Sequence, residues 1–487
     1  MILARVAFLI GTILRWFGLA LLVPAGVAGF DGNRPETLAF LVSAAASTGV
    51  GQLLRWIGES PSELRRPDAL AVVAFTYLAL AFAGALPFVL IGLSPIDALF
   101  ESMSGLTTTG GTALTDFALY GRGIHFWRAL SHWLGGIGVV TLYVAVLPKL
   151  AIGGRDLFFA EASGPTDEAL TPQIRKTAAA LWRVYLALTA AAVLALLVAG
   201  LSLYDAIVHA MATVAAGGFS PHPQSVMGYH LPAVEWTLTF FMFLAGANFA
   251  LHYRALFTRS TRIFRDEELV AYTGLVVLAS VVVTGLLVNK GGHQLAEALR
   301  LATFQVVSVI TSTGFATADF ATWDERSRAL LLGLMFIGGC AGSAAGGLKI
   351  VRVLLITRYA LQELRRTLHP RAVLPVKLGG RIVPEPVMRS VLVFFLYYLL
   401  AFVVCAAVVT AAEGDMAIGV TGAIASLANA GPGFGAIGPM GSYAGLTGVS
   451  KVVLITAMWL GRLELMTALV FLGPRVWHDV RWRSRAA

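Results

Sequence analysis

The chain has 487 residues, of which 57% are hydrophobic and only 13% are charged. A soluble globular protein usually carries roughly 25% charged residues. The mean hydropathy of +0.77 and the repeated apolar runs of roughly 20 residues, the length that crosses a bilayer, exclude a water-soluble enzyme and a disordered chain. The two cysteines, Cys340 and Cys405, both lie in apolar stretches and exclude a disulfide scaffold. The sequence therefore predicts an integral membrane protein.

The apolar runs predict ten membrane-spanning helices, because lipid offers backbone polar groups no partner outside a helix or a closed barrel. The first run has no small-residue cleavage site after it, which predicts a retained span rather than a signal peptide. In chain order the predicted spans cover residues 6–28, 37–57, 69–91, 126–147, 178–201, 231–251, 269–288, 328–359, 388–411 and 451–472.

The distribution of charge predicts the topology. If the N-terminus lies inside, 25 of the 36 Lys and Arg residues fall in inner segments and seven in outer segments. Such a bias is typical of cytoplasmic loops, so both termini are predicted to be cytoplasmic. The outer segments are acidic and could raise the local cation concentration; the alternative is an ordinary solvated loop surface. The acidic residues in question include Asp97, Glu101, Asp116, Asp205, Asp319, Asp324, Glu325 and Asp415.

Four outer connections each contain an apolar stretch that is too short to cross, followed by a turn rich in small residues. They cover residues 97–112, 205–220, 300–317 and 419–438. A helix of about 10 residues is about 15 Å long, half of a roughly 30 Å hydrocarbon core. Each connection is therefore predicted to enter the membrane and return to the same side.

The four turns share a register and recur at intervals of roughly one hundred residues, as internal repeats do. The alignment matches Gly110, Gly218, Gly314 and Gly433, with Gly217 and Gly431 as alternatives one or two positions away. The predicted fold is an all-α polytopic membrane protein with four pseudo-symmetric span–pore helix–filter–span repeats around one pore. The predicted divisions are an N-terminal two-helix unit at residues 1–68 and pore repeats at residues 69–150, 151–265, 266–370 and 371–487.

Irregular backbone at membrane depth is tolerated only where protein buries it or where it lines a watery path. A ring of carbonyl oxygens can replace the hydration shell of a monovalent cation, and glycine permits the required dihedral angles. The turns contain no carboxylate, which favours K⁺ over Ca²⁺. The alternative, that the glycines only allow close helix packing, is disfavoured by their fourfold recurrence. The predicted K⁺ filter residues are Thr107, Thr108, Thr109, Gly110, Gly111, Ala215, Ala216, Gly217, Gly218, Thr311, Ser312, Thr313, Gly314, Asn429, Ala430, Gly431, Pro432 and Gly433.

Two further features interrupt the predicted spans. The run 328–359 would be about 48 Å long as one helix, but it is interrupted by GGCAGSAAGG at 338–347. Glycine destabilises a helix by about 1 kcal/mol relative to alanine, so a break is expected there; the alternative is a tightly packed glycine-faced helix. Arg462 lies in the last span, where arginine almost always faces a cavity or a partner; the alternative is a structural salt bridge away from the pore.

These motifs resemble the TrkH-type branch of the Trk/Ktr/HKT superfamily of potassium transporters. The similarity extends over residues 69–474 and is specific in combination. The motifs are GLTTTG at 105–110, HWLGGIG at 132–138, TVAAGGF at 213–219, SVITSTGFAT at 308–317, FIGGCAGS at 336–343, NAGPG at 429–433 and GRLE at 461–464.

The resemblance implies one pore per subunit in a homodimer, with a cytoplasmic, nucleotide-binding RCK-type partner similar to TrkA that controls opening. It places Arg462 beneath the filter, where its charge would oppose K⁺ occupancy and hold the carbonyls of an intramembrane gate. Sodium-permeable HKT relatives can carry serine at the position of Gly110, so glycine here favours K⁺. Ala344 and Ala345 depart from the glycine-rich pattern. The implied gate residues are Gly338, Gly339, Gly342, Ser343, Gly346, Gly347 and Arg462.

The predicted function is K⁺ uptake across a bacterial inner membrane, with K⁺ as the transported ion. No enzymatic motif, cofactor fingerprint or nucleic-acid partner is predicted, and His125 and His132 are interpreted as packing histidines. Lys349 and Arg352 suit either the regulatory partner or membrane lipid headgroups. The alternatives are a sodium-permeable or sodium/proton-coupled relative, an alternating-access transporter, and a membrane scaffold that transports nothing.

Overall fold

A computed structural model describes residues 1–61, 65–145, 170–258, 265–372, 374–463, 465–473, 480 and 482. The final glutamate of the GRLE motif, Glu464, and the connection 146–169 lie outside the described residues. The described part is mostly helical, with one small antiparallel hairpin in which β1 (Lys377–Leu378) pairs with β2 (Arg381–Ile382).

Long helices alternate with short ones along the described chain. The helices are α1 (Leu3–Ala20), α2 (Leu22–Phe30), α3 (Arg34–Ile57), α4 (Arg66–Leu90), α5 (Pro95–Leu106), α6 (Arg122–Ala145), α7 (Leu170–Val198), α8 (Leu203–Val214), α9 (Pro232–Gly246), α10 (Phe249–Thr258), α11 (Glu267–Gly291), α12 (Leu295–Ile310), α13 (Glu325–Ile337), α14 (Ile350–Leu368), α15 (Glu385–Glu413), α16 (Met416–Leu427), α17 (Gly448–Arg462) and α18 (Met466–Leu469). Single 3₁₀ turns lie at Phe117–Leu119, Ser225–Tyr229, Phe320–Thr322, Gly435–Ile437, Tyr443–Gly445 and Val470–Leu472.

By length and composition, six described segments can cross a membrane, and the bent pair α9 and α10 would be a seventh if counted as one span. Two of the ten predicted spans, 231–251 and 328–359, are interrupted in the structure, the second at the glycine-rich segment where a break was expected. The predicted span 328–359 is divided between α13 and α14, and the predicted span 451–472 ends its main helix at Arg462. That residue occupies the C-terminus of α17 rather than the middle of a helix, where a positive charge complements the helix dipole.

The predicted span 231–251 is broken after Gly246, where groups outside α9 form hydrogen bonds with the backbone. The chain bends by 103° between α9 and α10. The carbonyl of Gly246 accepts a hydrogen bond from the N–H of Cys340 at 2.9 Å, and the N–H of Ala250 donates to the side chain of Asn248 at 2.8 Å. Asparagine is a good helix N-cap, so α10 begins anew rather than continuing α9.

The N-terminal helices pack closely through small residues. A Cβ atom added to Gly11 would lie 2.5 Å from the carbonyl oxygen of Gly51, and one added to Gly51 would lie 2.7 Å from that of Gly11. Glycine at such a crossing lets two helix backbones approach, as in membrane helix pairs. The N–H of Ala4 donates to the carbonyl of Trp482 at 2.9 Å, so the two ends of the chain lie at the same end of the molecule.

The short helices are buried, whereas the long helices expose apolar side chains. In the four short helices that precede the glycine turns, α5, α8, α12 and α16, the C-terminal eight residues are all buried or nearly so. Leu194 and Val198 on the long helix α7 are 64% and 90% exposed, as expected of a surface that faces lipid. The four short helices are thereby held inside a shell of longer ones.

Capping fixes where the short helices begin. Ser94 caps α5 and Ser202 caps α8, and their hydroxyls also donate to the carboxylates of Asp97 and Asp205 at 2.6 and 2.7 Å. Asp415 accepts two backbone N–H groups at the start of α16. Carboxylates at helix N-termini are stabilised by the helix dipole, so these acidic residues have a structural role.

Candidate functional site

Each short helix ends in a turn of the same conformation. We call these the first turn (107–110), the second (215–218), the third (311–314) and the fourth (428–431). The second residue of each turn has a left-handed backbone, and the last is a glycine with φ between 80° and 87°. A left-handed backbone is uncommon for a non-glycine residue. The left-handed non-glycine residues are Thr108, Ala216, Ser312 and Asn429, with φ of 52°, 55°, 52° and 52°.

The turns contact one another in a closed order. A Cβ atom on the final glycine of each turn would collide with the carbonyl oxygen of the third residue of the next turn. The pairs are Gly110 with Gly217, Gly218 with Thr313, Gly314 with Ala430, and Gly431 with Thr109. The contact sequence therefore runs from the first turn through the second, third and fourth back to the first, which makes a ring. Only glycine fits at these four positions.

The amides of the turns point back into the short helices. The N–H of the third residue of each turn donates 2.8 Å to a carbonyl five residues earlier, in the short helix. Among the described residues, none donates to the carbonyls of the first three residues of any turn. Buried carbonyls normally have a partner. The ring therefore presents buried oxygen atoms, at helix C-termini whose dipoles favour positive charge.

The threonine hydroxyls of the turns are mostly occupied within the protein. Thr107 and Thr109 share a hydrogen bond of 2.8 Å, and Thr311 and Thr313 share another of 2.8 Å. The hydroxyl of Thr108 is buried and has no hydrogen-bond partner among the described residues. The ring's coordinating capacity therefore lies mainly in its backbone oxygens.

The fourth turn has a different register from the one preferred on sequence. Gly431, the alternative, has φ of 87° and contacts Thr109, as the other turn glycines contact their neighbours. Gly433 has no left-handed backbone, and its N–H donates 2.8 Å to the carbonyl of Ile437. The alignment on Gly433 was therefore wrong by two residues. The turn ends at Gly431, and Pro432 separates it from the Gly433-Phe434 pair on which the alignment was based.

Tyr443, which sequence reasoning missed, joins the fourth turn to the first. Its hydroxyl donates 2.7 Å to the carbonyl of Gly431, and its N–H donates 2.8 Å to the carbonyl of Thr112. Its ring lies against that of Phe100, with centroids 4.9 Å apart. Burial raises the pKa of the Tyr443 phenol, so it remains a neutral donor. An aromatic residue in the Gly-rich segment after the fourth turn was the available signal.

The glycine-rich segment forms an irregular loop, 338–349, between α13 and α14. The predicted break is present, and the alternative of a continuous glycine-faced helix was wrong. The loop is buried, and three of its glycines have a positive φ: Gly338, Gly342 and Gly347. Two hydrogen bonds hold it: the Ser343 hydroxyl donates to the Cys340 carbonyl, and the Ile350 N–H donates to the Gly339 carbonyl. The N–H of Gly346 donates 2.7 Å to the side chain of Ser312 in the third turn. The loop therefore contacts the ring directly.

Arg462 contacts the same loop from α17. The residue is 4% exposed, and its guanidinium donates 2.9 Å to the carbonyl of Ala344 and 3.4 Å to that of Gly135. Gly135 also accepts from the hydroxyl of Tyr77 at 3.4 Å. Arg462 thus bridges the 338–349 loop and α6, and the bond to a loop carbonyl matches the contact that the resemblance implied.

Several predicted outer charges are neutralised within the protein. Lys451 pairs with Asp97 at 2.5 Å, and Arg128 pairs with the fully buried Glu101 at 2.7 Å. Asp116 and Asp319 accept backbone N–H groups at the starts of 3₁₀ turns. These four carboxylates therefore have partners within the protein, whereas the net charge of the outer segments stays a prediction.

The histidines on α6 pack, as predicted. The ring of His125 stacks on Phe117, and that of His132 stacks on Phe219 with centroids 4.1 Å apart. Within the part of the chain that the structure describes, no group of three His, Cys, Asp or Glu side chains could hold a metal ion.

Residues 38–478 match the family model described as TrkH, cation transport protein. The chain belongs to the TrkH family. The Salmonella typhimurium Trk system potassium uptake protein TrkH is 37% identical over 481 residues, which are 97% of this chain and 98% of the relative. The Escherichia coli Trk system potassium uptake protein TrkG is 33% identical over 97% of this chain and 98% of the relative.

The TrkH fold is shared with a solved relative. The crystal structure of the potassium transporter TrkH from Vibrio parahaemolyticus matches with a TM-score of 0.90 and 35% identity, over 98% of this chain and all of that one. The mostly helical architecture is thus that of a membrane transport protein, and the family is one of transporters rather than enzymes.

Proposed function

We propose that this TrkH-family protein takes up K⁺ across the inner membrane of a bacterium, with the ion passing through the ring of four turns. The observation that carries the proposal is the closed ring of buried carbonyl oxygens without donors among the described residues. Such oxygens can replace the hydration shell of K⁺. The names of the relatives, potassium uptake proteins of the Trk system, support the same ion.

The four turns, the short helices and their flanking long helices are interpreted as four pseudo-symmetric pore repeats around one pore. The interpretation is supported by the equal dihedral angles of the turns and by their closed order of contact. The divisions at residues 69–150, 151–265, 266–370 and 371–487 follow this assignment, with residues 1–68 as the added unit.

The 338–349 loop and Arg462 are proposed to gate the pore. The support is the hydrogen bond between Arg462 and the loop and the hydrogen bond between the loop and the third turn. A cation leaving the ring would meet a guanidinium, so its charge would oppose occupancy until the loop and Arg462 move.

A homodimer and a cytoplasmic TrkA-like RCK partner are proposed to complete the system. The printed name, Trk system, describes the relatives as parts of a system. The basic α14 helix, with Arg365 and Arg366 in its last turn, offers positive charge to a partner or to lipid headgroups if both termini are cytoplasmic.

Reconstitution tests the function directly. Purified protein in liposomes should carry K⁺ or Rb⁺ inward, and Na⁺ should compete weakly. Gly314→Asp should abolish flux and growth on limiting K⁺, because a side chain there collides with the next turn. Gly274→Ala, whose added Cβ would meet nothing within 4 Å, is the matched control. Equal Na⁺ and K⁺ flux would replace the proposal with a sodium-permeable transporter, and full activity of Gly314→Asp would reject the ring as the path.

A further inference from the structure

A buried ion pair lies directly behind the first two turns. The side chains of Arg128 on α6 and Glu101 on α5 are 2% and 0% exposed, and Arg128 Nε lies 2.7 Å from Glu101 Oε1. Ionised groups in an apolar segment are costly and usually functional. Neither residue belongs to the ring or to the loop, so the filter chemistry does not account for them.

Glu101 fixes the segment that leaves the first turn. Its carboxylate accepts the N–H of Ala113 at 2.8 Å and the hydroxyl of Thr112 at 3.1 Å, in addition to Arg128. A buried carboxylate needs such donors. The segment immediately after Gly110 is thereby attached to α5.

In the second and third short helices, the residue at the same position also hydrogen-bonds the segment that follows its turn, but without an ion pair. Nine residues before the turn glycine stand Glu101, His209 and Gln305. His209 Nε2 is 3.1 Å from the Ser220 hydroxyl, and Gln305 Nε2 donates 3.3 Å to the Thr317 hydroxyl. In the fourth segment the position is glycine, and the neighbouring Thr421 accepts from the N–H of Phe434 at 2.9 Å.

Arg128 differs from these residues because it hydrogen-bonds the segments that follow two different turns. Its Nη1 donates 2.9 Å to the carbonyl of Ser220, which follows the second turn, and its Nη2 donates 3.2 Å to Thr112, which follows the first. Its guanidinium also lies 4.0 Å from the ring centroid of Phe219. One planar fork thus holds the exits of two adjacent turns, which a lysine ammonium cannot reproduce.

His132, one helical turn after Arg128 on α6, also joins the first and second segments. Its ring stacks on Phe219, which the guanidinium of Arg128 also contacts, and its Nδ1 lies 2.8 Å from the carbonyl of Gly105 on α5. The ring of His132 also lies against the backbone of Gly217. The α6 helix therefore sets how far the second turn stands from the first.

We infer that Arg128 and Glu101 are positioning residues that fix the spacing of the first and second turns and thereby set the preference for K⁺ over Na⁺. The inference rests on the proposed function. Carbonyl oxygens select between ions through their number and spacing, and the pair controls spacing without touching the ion.

The test measures the ratio of K⁺ to Na⁺ flux in liposomes for Arg128→Lys and Glu101→Gln. The second variant introduces the residue type that already occupies the same register in the third segment. Both should lower the ratio at least fivefold while K⁺ flux persists. Arg300→Lys is the matched control, because Arg300 pairs with the buried Glu235 at 2.6 Å away from the turns; its ratio should equal that of the wild type.

An unchanged ratio in folded Arg128→Lys and Glu101→Gln would overturn the inference. If both variants fail to assemble, the neutral double variant Glu101→Gln/Arg128→Gln tests the inference instead. A lowered ratio of K⁺ to Na⁺ flux in this variant would support the positioning role. An unchanged ratio, or failure to assemble, would assign the pair to folding and overturn the inference. A wild-type protein that carries no K⁺ would instead overturn the proposed function, so the two failures are distinguishable.

Discussion

The hydroxyl of Ser312, in the third turn, accepts the N–H of Gly346, in the 338–349 loop, at 2.7 Å. Ser312 has a left-handed backbone with φ of 52°, and both residues are buried or nearly so. The third turn and the loop are therefore not independent. A displacement of the loop away from the ring breaks a buried hydrogen bond to a residue of the ring itself.

Ser312→Ala should weaken this link. A buried N–H left without an acceptor costs about 1–3 kcal/mol, which biases the loop away from its observed position. We expect K⁺ flux in the absence of any partner to rise on the order of tenfold. The control is Ser426→Ala, because the buried Ser426 hydroxyl has no hydrogen-bond partner among the described residues. Liposome flux that is unchanged in Ser312→Ala would show that the bond does not restrain the loop.

Substitutions of Arg462 separate its charge from its hydrogen bonds. Arg462→Lys keeps the positive charge but loses the fork that reaches both Ala344 and Gly135. If the bonds hold the loop, Arg462→Lys and Arg462→Gln should both raise flux several-fold. If the charge alone opposes K⁺, only Arg462→Gln should do so. Single-channel recording of the purified variants distinguishes these outcomes, and wild-type currents in both variants would exclude Arg462 from gating.

How far the sequence could predict these features depends on the range of the interactions. Hydropathy, a local signal, located the long apolar helices, and capping residues, which the prediction did not use, are equally local. Ser94 and Asp97, for example, mark the start of α5 within four residues. The bend after α9 could be predicted only in part, because Asn248 is a local helix N-cap but the partner of the Gly246 carbonyl is Cys340, almost a hundred residues later. Glu101 looked like an outer charge for the same reason: its partner Arg128 lies on another helix.

The register of the fourth turn provides another test of the ring. Gly431→Ala should reduce K⁺ flux by at least an order of magnitude. The substitution adds a Cβ 2.5 Å from the Thr109 carbonyl, at a φ of 87° that alanine rarely adopts. Gly285→Ala, whose added Cβ would meet nothing within 4 Å, should be neutral in the same assay. Full K⁺ flux in folded Gly431→Ala would return the fourth site to Gly433.

Glu268 holds both ends of the 338–349 loop region, so its removal should loosen the loop without touching the ring. One carboxylate oxygen accepts the N–H of Ala341 at 2.7 Å and that of Val351 at 3.1 Å. Glu268→Ala leaves two backbone donors without this acceptor, which we expect to destabilise the protein by about 2 kcal/mol or more and to raise flux without a partner. Glu268→Gln retains an acceptor oxygen and should be much milder.

The adjacent Glu267 is the matched control for this prediction. It forms a half-exposed ion pair with Arg358 at 2.8 Å, and exposed pairs contribute about 0–1 kcal/mol. Glu267→Ala should therefore leave both thermal stability in detergent and liposome flux close to wild type. If Glu267→Ala and Glu268→Ala had equal effects, charge near the start of α11, rather than the two loop hydrogen bonds, would be the quantity that matters.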